Sequence, residues 1–188
     1  MRKRTTGALI GLLGSTALLA GCGQASAIDA AAPAAQAHTA QRDISGSNCT
    51  AQDFRVDLNV QPGHPDQFLL AMTNTSGKPC EIGGWVNLKP QNMAGETIEQ
   101  IPARTVEVPG PPEHSTLQPG RTAFAGVHLE LGAKNDPGTY VTSGFLAAPS
   151  DMAGVGSARV VGNEGPVEIP LKSLQIGTLQ PSPQGVLF

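Results

Sequence analysis

Turn-forming clusters cut this chain into short pieces, and that punctuation most constrains what it can fold into. Pro62-Gly63-His64-Pro65, Asn74-Thr75-Ser76-Gly77-Lys78-Pro79, Pro109-Gly110-Pro111-Pro112-Glu113-His114, Leu117-Gln118-Pro119-Gly120 and Asn135-Asp136-Pro137-Gly138 all combine residues that favour turns. The chain holds 23 Gly and 16 Pro. In a helix interior Gly costs about 1 kcal/mol and Pro about 3 kcal/mol relative to Ala. Long helices are therefore disfavoured, and many short strands joined by turns are expected.

The segments between the turns read as strands. Residues 54–60 alternate apolar and polar strictly, the period-two signature of a half-buried strand. Residues 67–75 make a second strand with Phe68, Leu70 and Met72 on one face. Cys80 opens a third, with Ile82, Trp85 and Leu88 as core contacts; the single tryptophan, Trp85, reads as packing rather than ligand stacking. Residues 97–101 form a short strand or an edge, and residues 103–108 alternate again. In residues 121–131, Ala123, Ala125, Val127, Leu129 and Leu131 share one face. Residues 140–148, 159–161 and 167–176 supply the remaining strands, with a Gly-containing loop at 150–157. Seven to nine short strands describe an all-β domain, an immunoglobulin-like β-sandwich, with a closed barrel as the alternative.

Ahead of this domain stands a leader. Arg2, Lys3 and Arg4 precede fourteen mostly apolar residues, Gly7 to Ala20, and then Leu19-Ala20-Gly21-Cys22 closes the run as a lipobox. A spanning helix needs roughly 20 apolar residues, so the run suits a cleaved signal. Residues 1–21 are then the signal peptide, and Cys22 is the lipidated first residue of the mature chain. The alternative is an ordinary secretory signal cut after Ser26, with Cys22 lost. Residues 22–48 form an Ala-rich linker with almost no large apolar residues, a composition that cannot bury enough surface to order itself. The sandwich occupies residues 49–179. A Pro- and Gly-bearing tail, 180–188, ends in Val186-Leu187-Phe188, which either docks on the sheet or frays.

Charge and cysteines narrow the setting. Loss of the three leader cations takes Lys+Arg from 12 to 9 against 15 Asp+Glu, about −6. That argues against nucleic acid as a partner and against a polybasic hold on anionic lipid. After Cys22 only Cys49 and Cys80 remain, and an exported chain with two cysteines reads as one disulfide. Closing a loop of about 32 residues is worth roughly 3.5–4 kcal/mol in the chain-entropy model.

Several of these stretches carry a family resemblance. Cys49-Thr50-Ala51-Gln52-Asp53-Phe54-Arg55-Val56 opens the domain, Phe68 to Cys80 continues it, and Gly84-Trp85 and Leu117-Gln118-Pro119-Gly120-Arg121-Thr122-Ala123 follow in order. This order resembles domain-of-unknown-function family 4232, found mainly in exported proteins and lipoproteins of actinobacteria. The resemblance implies an immunoglobulin-like sandwich over most of residues 49–179. It carries over no catalytic residue. Many members have a second cysteine pair in the later half, which this chain lacks, so the strands after Tyr140 are the least determined.

Motifs for chemistry are sparse. No G-x-S-x-G, S-x-x-K, H-E-x-x-H or phosphate loop occurs, and no cofactor or metal is implied. His64, His114 and His128 lie apart; His128 and Glu130 share a strand face, which usually means a polar, outward surface. Glu96, Glu99, Glu107 and Glu113 read as a solvated acidic edge, since calcium needs six to eight converging oxygens. Met72, Met93 and Met152 read as core filling. The candidate recognition element is the stiff loop with Pro109, Pro111, Pro112, Glu113 and His114, since Pro lowers the entropy lost on binding; its alternative is a plain crossover between sheets. The expectation is a non-catalytic domain, lipid-anchored outside the cytoplasmic membrane, that binds an envelope protein or glycan. An envelope hydrolase with a site assembled from distant residues and a metal-handling lipoprotein are the rival readings.

Overall fold

A computed structural model describes residues 49–188 except residue 164. The expected signal peptide, lipobox with Cys22 and linker lie outside the described residues. In chain order the strands are β1 (Phe54–Gln61), β2 (His64–Asn74), β3 (Cys80–Ile82), β4 (Val86–Gln91), β5 (Ala103–Thr105) and β6 (Ser115–Leu117). They continue as β7 (Thr122–Leu131), β8 (Tyr140–Thr142), β9 (Gly144–Pro149), β10 (Gly156–Val161) and β11 (Ile169–Ile176). Seven of these have six residues or more and four have three. A single 3-10 turn, Ala51–Asp53, precedes β1.

Nine strands form one sheet, in the order β4-β9-β10-β1-β2-β7-β11-β5, with β8 also on β11. Most pairs are antiparallel; β1 with β10 and β11 with β5 are parallel. The sheet curls until its end strands β4 and β5 face each other across a cleft floored by Leu88, Ile98, Ile101 and Ile176. The apposed halves make the sandwich. β3 and β6 pair separately as a two-stranded ribbon.

The core follows the alternation. Leu58, Leu70, Met72, Val127, Leu129 and Phe145 are all at most 1% exposed, and the rings of Phe68 and Phe145 meet edge to face at 6.3 Å. Burying a Leu, Val or Phe side chain contributes about 1.5–3 kcal/mol, and one cluster spans both layers. The disulfide Cys49–Cys80, with Cα atoms 5.9 Å apart, ties the entry of β1 to the start of β3.

Local readings give way where long-range contacts intervene. The first turn contracts to Pro62-Gly63, with Gly63 at φ +79°, and β2 begins at His64. The expected third strand breaks between Ile82 and Val86. Gly83 and Gly84 lie so close to Asp151 and Pro112 that a Cβ on either would collide with them, and the chain bends there. Trp85 is consequently half-buried rather than core, its Nε1 donating to the Val106 carbonyl at 3.2 Å, and Val86 takes the interior position. The strand expected at 140–148 also splits. At Ser143 its backbone N–H donates to Gln91 at 2.8 Å, so β8 pairs β11 while β9 pairs β4 and β10. Of residues 103–108 only Ala103–Thr105 is strand, and all three are exposed. β10 begins at Gly156, inside the expected loop. The tail docks: Val186 is 0% exposed.

Candidate functional site

The loop from Val108 to His114 links β5 to β6 and is held from behind. Thr178, just past β11, is fully buried. Its backbone N–H donates to the Val108 carbonyl at 2.8 Å, and its Oγ1 donates to the carbonyls of Val108 at 3.1 Å and Gly110 at 3.0 Å. Gly177 leaves room for Val108, since a Cβ there would press on that carbonyl. Pro112 packs half-buried against Gly84. Pro109, Pro111, Glu113 and His114 point outward, exposed. A loop so braced presents its surface with little freedom left to lose on binding.

The loop ends beside a cleft. His114, Glu81, Asp151, Gly83 and Met152 line a cleft of about 380 Å³ that also touches Cys49. The pairing of β3 with β6, Glu81 opposite Thr116, brings Glu81 alongside the residues that follow His114. His114 Nδ1 lies 4.0 Å from Asp151 Oδ2, with both side chains mostly exposed, so the contact is weak. One imidazole and two carboxylates give the cleft an acidic, hydrogen-bonding character. Asp151 and Glu81 were not legible as partners of His114, because each arrives from a different turn or strand and no local spacing links them.

The other sequence candidates disperse. His64 is exposed at the β1–β2 turn. His128 Nε2 is 3.6 Å from Asp66 Oδ2. Glu130 accepts a 2.6 Å hydrogen bond from Ser173 Oγ, so that hydroxyl faces a carboxylate rather than an imidazole base, and neither His128 nor Glu130 lines the clefts described here. Glu96 accepts from the Asn92 side chain at 2.9 Å in a tight exposed turn. Among the described residues no group of three or more His, Cys, Asp or Glu is placed to hold a metal ion. Met72 is core and Met152 packs against it, but Met93 is 85% exposed at the tip of the turn after β4, contrary to its reading as core filling. A second cleft, of about 260 Å³ and largely apolar, lies at the other end of β1 around Val60, Phe68 and Ile169.

A family model described as a domain of unknown function, DUF4232, matches residues 49–180. No curated protein and no solved structure matches the chain.

Proposed function

The chain belongs to the DUF4232 family, and from that premise we propose that it is a lipid-anchored, non-catalytic binding domain on the outer face of the cytoplasmic membrane. The observation that carries this reading is the division among its three cysteines. Cys49 and Cys80 are bonded to each other, as befits an oxidising compartment, and Cys22 stands apart at the end of Leu19-Ala20-Gly21-Cys22 behind a basic, apolar leader. Lipid on Cys22 gives a durable hold only with more than one chain, since a single acyl chain binds marginally. Residues 23–48 then tether the sandwich above the headgroups, with a root-mean-square reach of roughly 25–30 Å for a flexible chain. The partner is an envelope protein or glycan, met by the braced Pro109, Pro111, Pro112, Glu113 and His114 surface.

The anchor is tested by mass spectrometry of membrane-extracted protein, expected to find diacylglyceryl on Cys22, and by Cys22→Ser, expected to move the protein to the soluble fraction. Retention in the membrane after that change overturns the anchor. The soluble Cys22→Ser protein serves for the second test, sedimentation with washed envelope fragments. Co-sedimentation that falls at least five-fold on combining Pro111→Ala, Glu113→Lys and His114→Ala supports the loop. Co-sedimentation that is absent from the start, or indifferent to those changes, overturns it.

A further inference from the structure

Residues 180–188 follow β7, Gln180 pairing beside it and Val186 to Phe188 lying over its outer face. Gln180 and Phe124 exchange both backbone hydrogen bonds, at 2.7 and 2.8 Å. Past Pro181 and Pro183 the chain comes down again, and Val186 is 0% exposed while Leu187 and Phe188 remain 37% and 39% exposed. Beneath Val186 is Gly126, in the middle of β7, where a Cβ would collide with the Val186 carbonyl. Gly weakens a strand interior and often marks the close approach of another backbone. From β2, Gln67 Nε2 donates to the Phe188 carbonyl at 3.3 Å. The His128 ring, itself 3.6 Å from Asp66, stands 5.7 Å from the Phe188 ring. The face therefore offers, at Gly126, room for the main chain to come close at a residue whose aliphatic side chain is buried, an amide for a main-chain carbonyl and a ring for an aromatic.

We propose that Gly126, Gln67 and His128 form a peptide-docking groove which the chain fills with its own Val186-Leu187-Phe188, and that an extended peptide with an aliphatic residue two places before an aromatic displaces it. Among the described residues, the buried Val186 side chain, the Gln67 hydrogen bond and the His128–Phe188 ring contact hold the segment beyond Gln180 to the rest of the domain. Segments with so few buried contacts open locally far more readily than the core does. Extended peptides are recognised in this way, with main-chain hydrogen bonds for affinity and side-chain pockets for selectivity. Occupancy in cis sets a threshold, because a competitor must outdo the effective concentration of the attached tail. The groove is separate from the Pro109–His114 surface and independent of the lipid anchor.

The probe is a fluorescent peptide with the sequence of residues 180–188, titrated against the chain lacking its signal peptide and carrying Cys22→Ser. Val186→Asp places a charge where Val186 is buried and vacates the groove in cis. The variant is expected to bind the peptide at least ten-fold more tightly than the unaltered chain does. Adding Gly126→Ala to Val186→Asp abolishes that binding, because the new methyl occupies the space of the incoming carbonyl, while amide spectra show the sandwich intact. A Val186→Asp chain that folds but binds no peptide overturns the proposal. One that fails to fold overturns it too, since the tail is then a permanent part of the core. Equal binding of a scrambled peptide, or binding indifferent to Gly126→Ala, places the interaction elsewhere and overturns the groove.

Discussion

The side-chain amide of Asn74 donates to the carbonyl of Leu117, 43 residues further along, at 2.8 Å. The same nitrogen donates to Lys78 at 2.8 Å, and Oδ1 accepts from the Ser76 N–H at 2.9 Å and the Ser76 hydroxyl at 2.7 Å. Asn74 is 0% exposed. One buried amide thus joins the end of β2, the turn that follows and the end of β6. Asn74→Ala strands those partners and is expected to destabilise the domain by about 2–3 kcal/mol. Asn74→Asp is expected to cost more, since it removes the donor and adds a buried charge. Urea unfolding midpoints check both, and equal stability of wild type and Asn74→Ala contradicts the role.

Thr178 braces the Pro109–His114 loop through its hydroxyl, so Thr178→Val tests the brace at nearly constant volume. The change leaves the Val108 carbonyl its bond to the Thr178 N–H and takes from Gly110 the bond to Oγ1. A loss of about 1–2 kcal/mol is expected, with faster amide exchange at Gly110, Glu113 and His114. Exchange unchanged at these residues means the Thr178 hydroxyl does not brace the loop.

The Cys49–Cys80 bond closes a sequence separation of 31 residues. Replacing both cysteines by Ala is expected to cost about 3–4 kcal/mol, by relaxing the constraint on the unfolded chain. A reductant should shift the unfolding midpoint of the wild type and leave the double variant unmoved. If reductant affects both alike, it acts on something other than this bond.

Lys134 Nζ lies 2.6 Å from Glu168 Oε2, and that hydrogen bond and charge hold the Glu168 carboxyl below its ordinary 4.5. A depressed acid contributes stability that is present above its unfolded pKa and is lost as pH falls through the folded value. Lys134→Met should therefore raise the Glu168 titration midpoint toward 4.5, read by the carboxyl carbon in an NMR pH series. Its effect on stability should appear only at pH values above that acidic range. An unmoved midpoint removes Lys134 as the cause.

Much of the sandwich is legible along the chain because each strand's face is a local property. Val56 and Leu58, Phe68, Leu70 and Met72, and Ala123 through Leu129 alternate in sequence and are buried in the fold, since the side-chain period of a strand is two wherever it pairs. The disulfide is legible for a different reason: of three cysteines, the expectation that Cys22 belongs to a lipobox leaves Cys49 and Cys80 to pair. Trp85 and Met93 are not legible in this way. A large apolar residue enters the core only if its backbone is aimed there. The crowding of Gly83 and Gly84 by Asp151 and Pro112 turns Trp85 aside, and a tight turn carries Met93 into solvent.

The candidate site divides along the same line. Composition and proline spacing single out Pro109 to His114 as a stiff loop, because Pro fixes φ whatever surrounds it. What braces that loop, Thr178, and what lies beside it, Glu81 and Asp151, depends on β11 and on the β3–β6 register. By itself, then, the order of residues determined the all-β class, the faces of the main strands and the cysteine pair. Only the tertiary structure decided that β1 runs parallel beside β10, that the strand at 140–149 changes partner at Ser143, and that Val186 closes over Gly126. Alternation says which side of a strand prefers burial, but many neighbours satisfy that preference equally. The choice among them rests on burial and hydrogen bonding summed over the whole sheet, a sum that no short stretch contains.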